Sequence, residues 1–168
     1  MHFNNNHHFM LHKALHDKMN ELYIYHALLI FAKSLIGVFV PVFLLKHGYA
    51  IYEIIGYQLA KSVVFLLVIP ISVRLIRRIG FKYTLLLTSP FYLMHIFLLN
   101  YIGGGDVFFH LSWLTFGIYI GLFWPAYHSE VAVSGSNRHR SSQMGTFQVL
   151  ATLFGTFAPI LGGYILDF

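Results

Sequence analysis

The sequence predicts an all-α integral membrane protein, a bundle of five transmembrane helices. Five apolar stretches each have about the 17–25 residues that a helix needs to cross ~30 Å of hydrocarbon. Hydrophobic residues make up 57% of the chain and charged ones 10%, a balance that suits a surface facing lipid rather than water. Lys and Arg collect in every second gap between the stretches, the asymmetry expected of a multi-pass protein. Strands of a membrane barrel would be about ten residues long and would alternate apolar with polar. These runs are longer and do not alternate.

Residues 1–20 read as a polar cytoplasmic tail ending in a short amphipathic helix, with Phe9, Met10, Leu11 and Leu15 placed to rest on the bilayer surface. His8, His12 and His16 recur at steps of four, a spacing at which imidazoles can share zinc or copper. The set has no carboxylate beyond the neighbouring Asp17 and no HExxH pattern, so the tail is read as solvated, with no metal site and no cofactor. The short apolar core and small-residue cleavage site of a signal peptide are missing, which makes the first span an uncleaved signal anchor.

The transmembrane domain, residues 21–168, begins with Leu22–Leu45 and a tight link, Lys46–Ala50. Ile51–Val73 follows, then a short basic link around Arg74, Arg77, Arg78 and Lys82, then Phe81–Tyr101. A Gly-Gly-Gly turn within Ile102–Asp106 leads to Val107–Tyr127. The polar stretch His128–Gln143 is read as a flexible connector to the last span, Met144–Ile165. Links this short predict that consecutive helices pack as antiparallel neighbours.

Orientation follows from the cations. Lys13 and Lys18 precede the first span, the second gap is basic, and Arg138 and Arg140 lie in the fourth, while the first and third gaps hold only Lys46. The N-terminus is therefore expected in the cytoplasm, with the chain in the cell membrane. The net charge of +5 is a by-product of this asymmetry and is no sign of nucleic-acid binding. With no Cys there is no disulfide framework, thiol nucleophile or Cys-based metal site.

Two stripes of small residues predict seams, because in a membrane packing rather than water exclusion draws helices together. On span five Gly145, Gln148, Thr152, Gly155, Pro159 and Gly162 share a face, with Gly163 beside them. On span four Gly117 and Gly121 form a GxxxG pair. Such seams are also where helices slide or rock.

Lys33 and Lys61 stand near the centres of their spans. A central Lys costs roughly 2.5–3.5 kcal/mol on insertion scales and is poorly placed to reach the headgroups. An offsetting interaction or a wet cavity is expected at each. His26, Lys33, Gly37 and Pro41 lie within about 80° of arc on span one, a polar and kinkable face. On span two Tyr57 precedes Lys61 by one turn and Glu53 by two. Both lysines are expected at similar depth on neighbouring helices, with no carboxylate at mid-span to oppose them. An anionic solute, a carboxylate elsewhere or loss of a proton would each answer the charge. Gln58, His95, Tyr119 and Gln148 are further lining candidates.

The link Val73-Arg-Leu-Ile-Arg-Arg-Ile-Gly-Phe-Lys82 resembles the signature loop of the major facilitator superfamily, G-x-x-x-D-R-x-G-R-K. Arg78, Gly80 and Lys82 match; Val73, Arg77 and Phe81 replace Gly, Asp and a basic residue. Span five is similar to the family's G-x8-G-x3-G-P-x2-G-G, with Gly145, Pro159, Gly162 and Gly163 matching and Phe154 and Ala158 standing for Gly. Trp124–Tyr127, Glu130 and the basic Arg138–Arg140 resemble its loop between helices four and five. The resemblance covers about residues 20–168 and implies five of the six helices of the family's N-terminal half, the missing C-terminal half of the same protein being a partner. It implies a secondary active transporter that moves a small solute by alternating access, with Arg77, Arg78, Gly80 and Lys82 in a cytoplasmic gate. An Arg that proton-coupled members carry in span four is absent here. Two other classes stand beside this reading. A non-transporting membrane scaffold or subunit needs only the seams. An intramembrane enzyme needs HExxH or GxSxG with a partnered His, and neither pattern occurs.

Overall fold

The computed structural model describes residues 5–134 and 140–166, with side chains from residue 20 onward apart from those of Arg140 and Leu166. The described residues form α-helices and one 3-10 turn, with no strand among them. In chain order the helices are α1 (Asn5–Gly37), α2 (Val40–Lys46), α3 (Ile51–Ile79), α4 (Phe81–Asn100), α5 (Asp106–Ser134) and α6 (Arg140–Leu166), with the 3-10 turn at Ile102–Gly104. Five segments are long and apolar enough to cross a membrane: Asn20–Lys46, Ile51–Ile79, Phe81–Asn100, Asp106–Ser134 and Ser141–Ile165. Their outer faces carry exposed Leu, Ile, Val and Phe, such as Leu28, Leu59, Leu67, Leu93 and Ile165, each more than 60% exposed. Water would not tolerate so much apolar surface; lipid does. These features are consistent with a multi-pass membrane protein.

The helices differ from the sequence expectation at their ends. The tail does not form a separate short helix, because α1 runs unbroken from Asn5 through the tail into the first span. That span is instead interrupted at Val38–Phe39, where the Phe39 amide donates to the Ile36 carbonyl and α2 restarts with Pro41 in its first turn. Proline belongs there, since the first turn of a helix has no use for its missing N–H. Helix α3 continues past Val73 through all three arginines and stops at Gly80, whose φ of 85° an L side chain rarely adopts. The stretch from His128 is not all connector: α5 extends to Ser134, and α6 begins at Arg140. Val131 and Ser134 are buried, which explains the extension.

The chain divides into two compact units, Pro41–Glu130 and a second one holding α1, α6 and the end of α5. In the second, α1 and α6 run parallel. Tyr23 and His26 meet Phe147, Phe31 meets Phe154, and Leu35 and Phe39 meet Gly162, so the two numberings rise together. In the Pro41–Glu130 unit α5 packs against both α3 and α4 and is the most buried of the five spans among the described residues. Helices α3 and α5 are also parallel, paired at Tyr57/Ser112, Val64/Gly117, Val68/Gly121 and Ser72/Leu122. Helix α4 runs antiparallel to α5, with His95 beside Ser112 and Phe116, and Tyr92 beside Tyr119. The closest seams therefore join spans one and five, and two and four, rather than only consecutive helices.

Candidate functional site

Glycine makes the α3/α5 approach possible. A Cβ on Gly117 would stand 2.7 Å from the Val64 Cβ and 2.9 Å from the Lys61 carbonyl oxygen. One on Gly121 would stand 2.7 Å from the Val68 Cβ and 3.1 Å from the Phe65 carbonyl oxygen. Only residues without a side chain let backbones meet so closely. A turn further on, the Ser72 hydroxyl donates to the Leu122 carbonyl at 3.1 Å, both groups being buried.

This close approach assembles a buried polar chain across three helices. The Tyr57 hydroxyl and Ser112 Oγ share a hydrogen bond of 3.1 Å, and His95 Nδ1 lies 3.1 Å from both the Oγ and the carbonyl oxygen of Ser112. A carbonyl can only accept, so in that contact the imidazole donates from Nδ1. Thr115 Oγ1 donates to the Leu111 and Ser112 carbonyls. The His95 ring stacks on Phe116 at 4.5 Å, and the Lys61 ammonium sits 5.2 Å from the centroid of the same Phe116 ring. Below Phe116 the rings of Tyr119, Phe123 and Tyr127 follow one another down α5 at 5.5–5.9 Å. Lys61 is half-buried, and its cation–π contact offsets part of the cost of an ammonium at this depth.

Tyr57, Lys61, His95 and Tyr119 thus come together in one unit, joined by Ser112 and Phe116, which the sequence reading did not single out. One signal could have found Ser112: Ser112, Thr115 and Tyr119 recur at helical steps along α5 in an otherwise apolar run. Gln58 is exposed. Lys33 belongs to the other unit, half-buried on α1, with His26 buried two turns before it and packed edge-on against Phe147 at 5.2 Å. Gly37 is exposed where α1 ends.

On α6 the seam passes through Phe147, Phe154, Ala158 and Gly162, where a Cβ would stand 2.5 Å from the Leu35 carbonyl oxygen and 2.9 Å from the Phe39 ring. Gly155 lies looser, 3.9 Å from Ser34 Oγ, and Gly163 is 3.8 Å from Phe39. Pro159 is half-buried beside this line. Gly145 and Gln148 are exposed, and a Cβ on Gly145 would meet nothing within 4 Å. Thr152 is exposed too, its hydroxyl returned to the Gln148 carbonyl.

At the basic turn Arg77, Arg78 and Lys82 are exposed around Gly80. At the other end of α4, Tyr49 clasps two loops: its hydroxyl donates to the Ile102 carbonyl at 3.4 Å and its ring stacks on Phe109 at 4.5 Å. Partial burial, and then the Asp106 and Glu53 carboxylates, push the Tyr49 phenol above its usual range. Glu53 itself caps α3 by accepting the Ala50 amide at 2.7 Å. Among the described residues no three His, Asp or Glu side chains gather to hold a metal ion. The side chains of His8, His12 and His16 lie outside the described set, as does Arg138. No protein-family model, curated protein or solved structure matches the chain.

Proposed function

We propose that the chain serves a secondary active transporter that moves a small anionic solute by alternating access, on the pattern of the major facilitator superfamily that its loop and fifth-span motifs resemble. The observation that carries the reading is Lys61. From Lys61 to the start of α3 is about 15 Å of helix, and to Arg74 about 20 Å, at ~1.5 Å per residue. An ammonium that deep is retained at a cost that apolar filler would avoid. Its neighbours, the Phe116 face and the His95–Ser112–Tyr57 chain, form a polar and aromatic patch suited to an anion with an apolar body. Lys33 offers a second mid-span cation within its own unit.

Two further features support motion. The first span is broken at Val38–Phe39, so its halves are not one rigid rod. The seams at Gly117, Gly121 and Gly162 are backbone-to-backbone, a smooth surface on which helices can rock. In this reading the protein is not an enzyme, Arg77, Arg78, Gly80 and Lys82 form the cytoplasmic gate, and the N-terminus faces the cytoplasm of a cell membrane.

The test is uptake of a panel of small organic and inorganic anions into vesicles bearing the protein, with Lys61→Ala and Lys33→Ala beside the wild type. At least one anion should enter faster with wild type than with empty vesicles, and Lys61→Ala should cut that rate about tenfold or more. Unchanged uptake of every solute in both variants would remove the proposed role.

A further inference from the structure

The α3/α4 turn, proposed above as part of a gate, carries a second feature. Arg74, Arg77 and Arg78 stand at steps of three and four on the last two turns of α3, within about 100° of arc. All three are exposed, as is Lys82 in the first turn of α4. No salt bridge is recorded for these four among the described residues, and the sequence holds no Asp or Glu between Glu53 and Asp106. Glu53 opens α3 at its opposite end. Four cations on one tight turn therefore face outward with no acidic residue on their own two helices nearer than Glu53, at the far end of α3.

Their depth identifies the partner. Exposed Ile71, Val73, Ile79 and Tyr83 flank the arginines, so the charge begins where the apolar surface of the spans ends. Helix α3 has 29 residues, about 44 Å of helix against ~30 Å of hydrocarbon, and its excess length lies at this arginine end. Arginines there sit among headgroups, with an exposed Tyr83 ring at the interface beside them.

We propose that this turn is a docking surface for phosphate-bearing anionic lipid headgroups, held by Arg74, Arg77, Arg78 and Lys82. Guanidinium groups pair with phosphate oxygens bidentately, and a juxtamembrane cation near an anionic bilayer raises affinity about fivefold. Held this way, headgroups screen the mutual repulsion of the four cations and fix the depth of the turn.

The experiment places the full chain in nanodiscs of mixed phosphatidylglycerol and phosphatidylcholine, and measures by mass spectrometry which lipid stays with the protein on extraction into detergent. Wild type should retain phosphatidylglycerol several-fold over its bulk share, and the preference should fade as salt rises from low to molar concentration. The triple variant Arg74→Gln, Arg77→Gln, Arg78→Gln should lose the preference, and the matching triple Lys variant should keep most of it. Lys46→Gln, on the link between the first two spans, should change nothing. Wild type showing no enrichment, or enrichment indifferent to salt, overturns the proposal without reference to any variant. Free glycerol phosphate displacing the lipid at micromolar concentration would overturn the membrane as the source and point to a soluble anion.

Discussion

In the α1/α6 unit two parallel helices meet through aromatic rings and a tight glycine, Gly162. In the Pro41–Glu130 unit the α3/α5 seam has two tight glycines, and a hydrogen-bonded chain of Tyr57, Ser112 and His95 crosses three helices beside it. Both units hold a mid-span lysine, and Lys61 has the Phe116 face and the polar chain beside it. The contrast separates two jobs that a membrane bundle must do. Small residues let helices approach. Polar residues from separate helices must satisfy one another where no water is at hand.

The largest effects should come from adding atoms to the seams. Gly162→Ala and Gly117→Ala each put a Cβ against a carbonyl oxygen, at 2.5 Å and 2.9 Å, and should each lose about 1–3 kcal/mol. Gly145→Ala adds the same methyl group to open space and should stay within about 0.5 kcal/mol of wild type. Unfolding midpoints in detergent would read all three. Equal losses at Gly145 and Gly162 would erase the distinction between seam and open face.

Next in size is the hub of the polar chain. Ser112→Ala removes the group that joins Tyr57 to His95 and should cost about 1 kcal/mol. Tyr57→Phe in the Ser112→Ala background should then add almost nothing, since its partner is already gone. Gln148→Ala, exposed on α6, should be neutral in the same assay.

The smallest effect belongs to the Tyr49 clasp. Its phenol is held above the ordinary value, so the neutral form is the one the fold prefers. That contribution is complete below about pH 10 and is lost as pH rises through the raised value. Wild type should show a small extra loss of thermal stability at strongly alkaline pH that Tyr49→Phe does not show.

The spans were legible because hydrocarbon leaves a plain signature: Ile51 and Phe81 open their helices where the apolar runs begin. Helix ends were less legible. Arg74, Arg77 and Arg78 look like loop residues by charge, yet arginine is a good helix former and only the conformation at Gly80 stops α3. Span five illustrates another limit. Its small and polar residues mark one face, but the seam in the structure runs through Phe147, Phe154, Ala158 and Gly162, because bulky rings interlock as well as glycines do. On span four Gly117 and Gly121 were plain, whereas Ser112 was not, since its role depends on Tyr57 and His95 arriving from two other helices.

The central claim is that α3 crosses hydrocarbon while water reaches its middle at Lys61. The chain has no native cysteine, so a single thiol reports on one site alone. The direct measurement is labelling of Lys61→Cys and Leu67→Cys by a membrane-impermeant, charged thiol reagent in intact vesicles. The account predicts that the Lys61→Cys thiol reacts and the Leu67→Cys thiol, on the exposed apolar face, does not. Two thiols equally sealed would contradict the wet patch, and two equally reactive would contradict the membrane span.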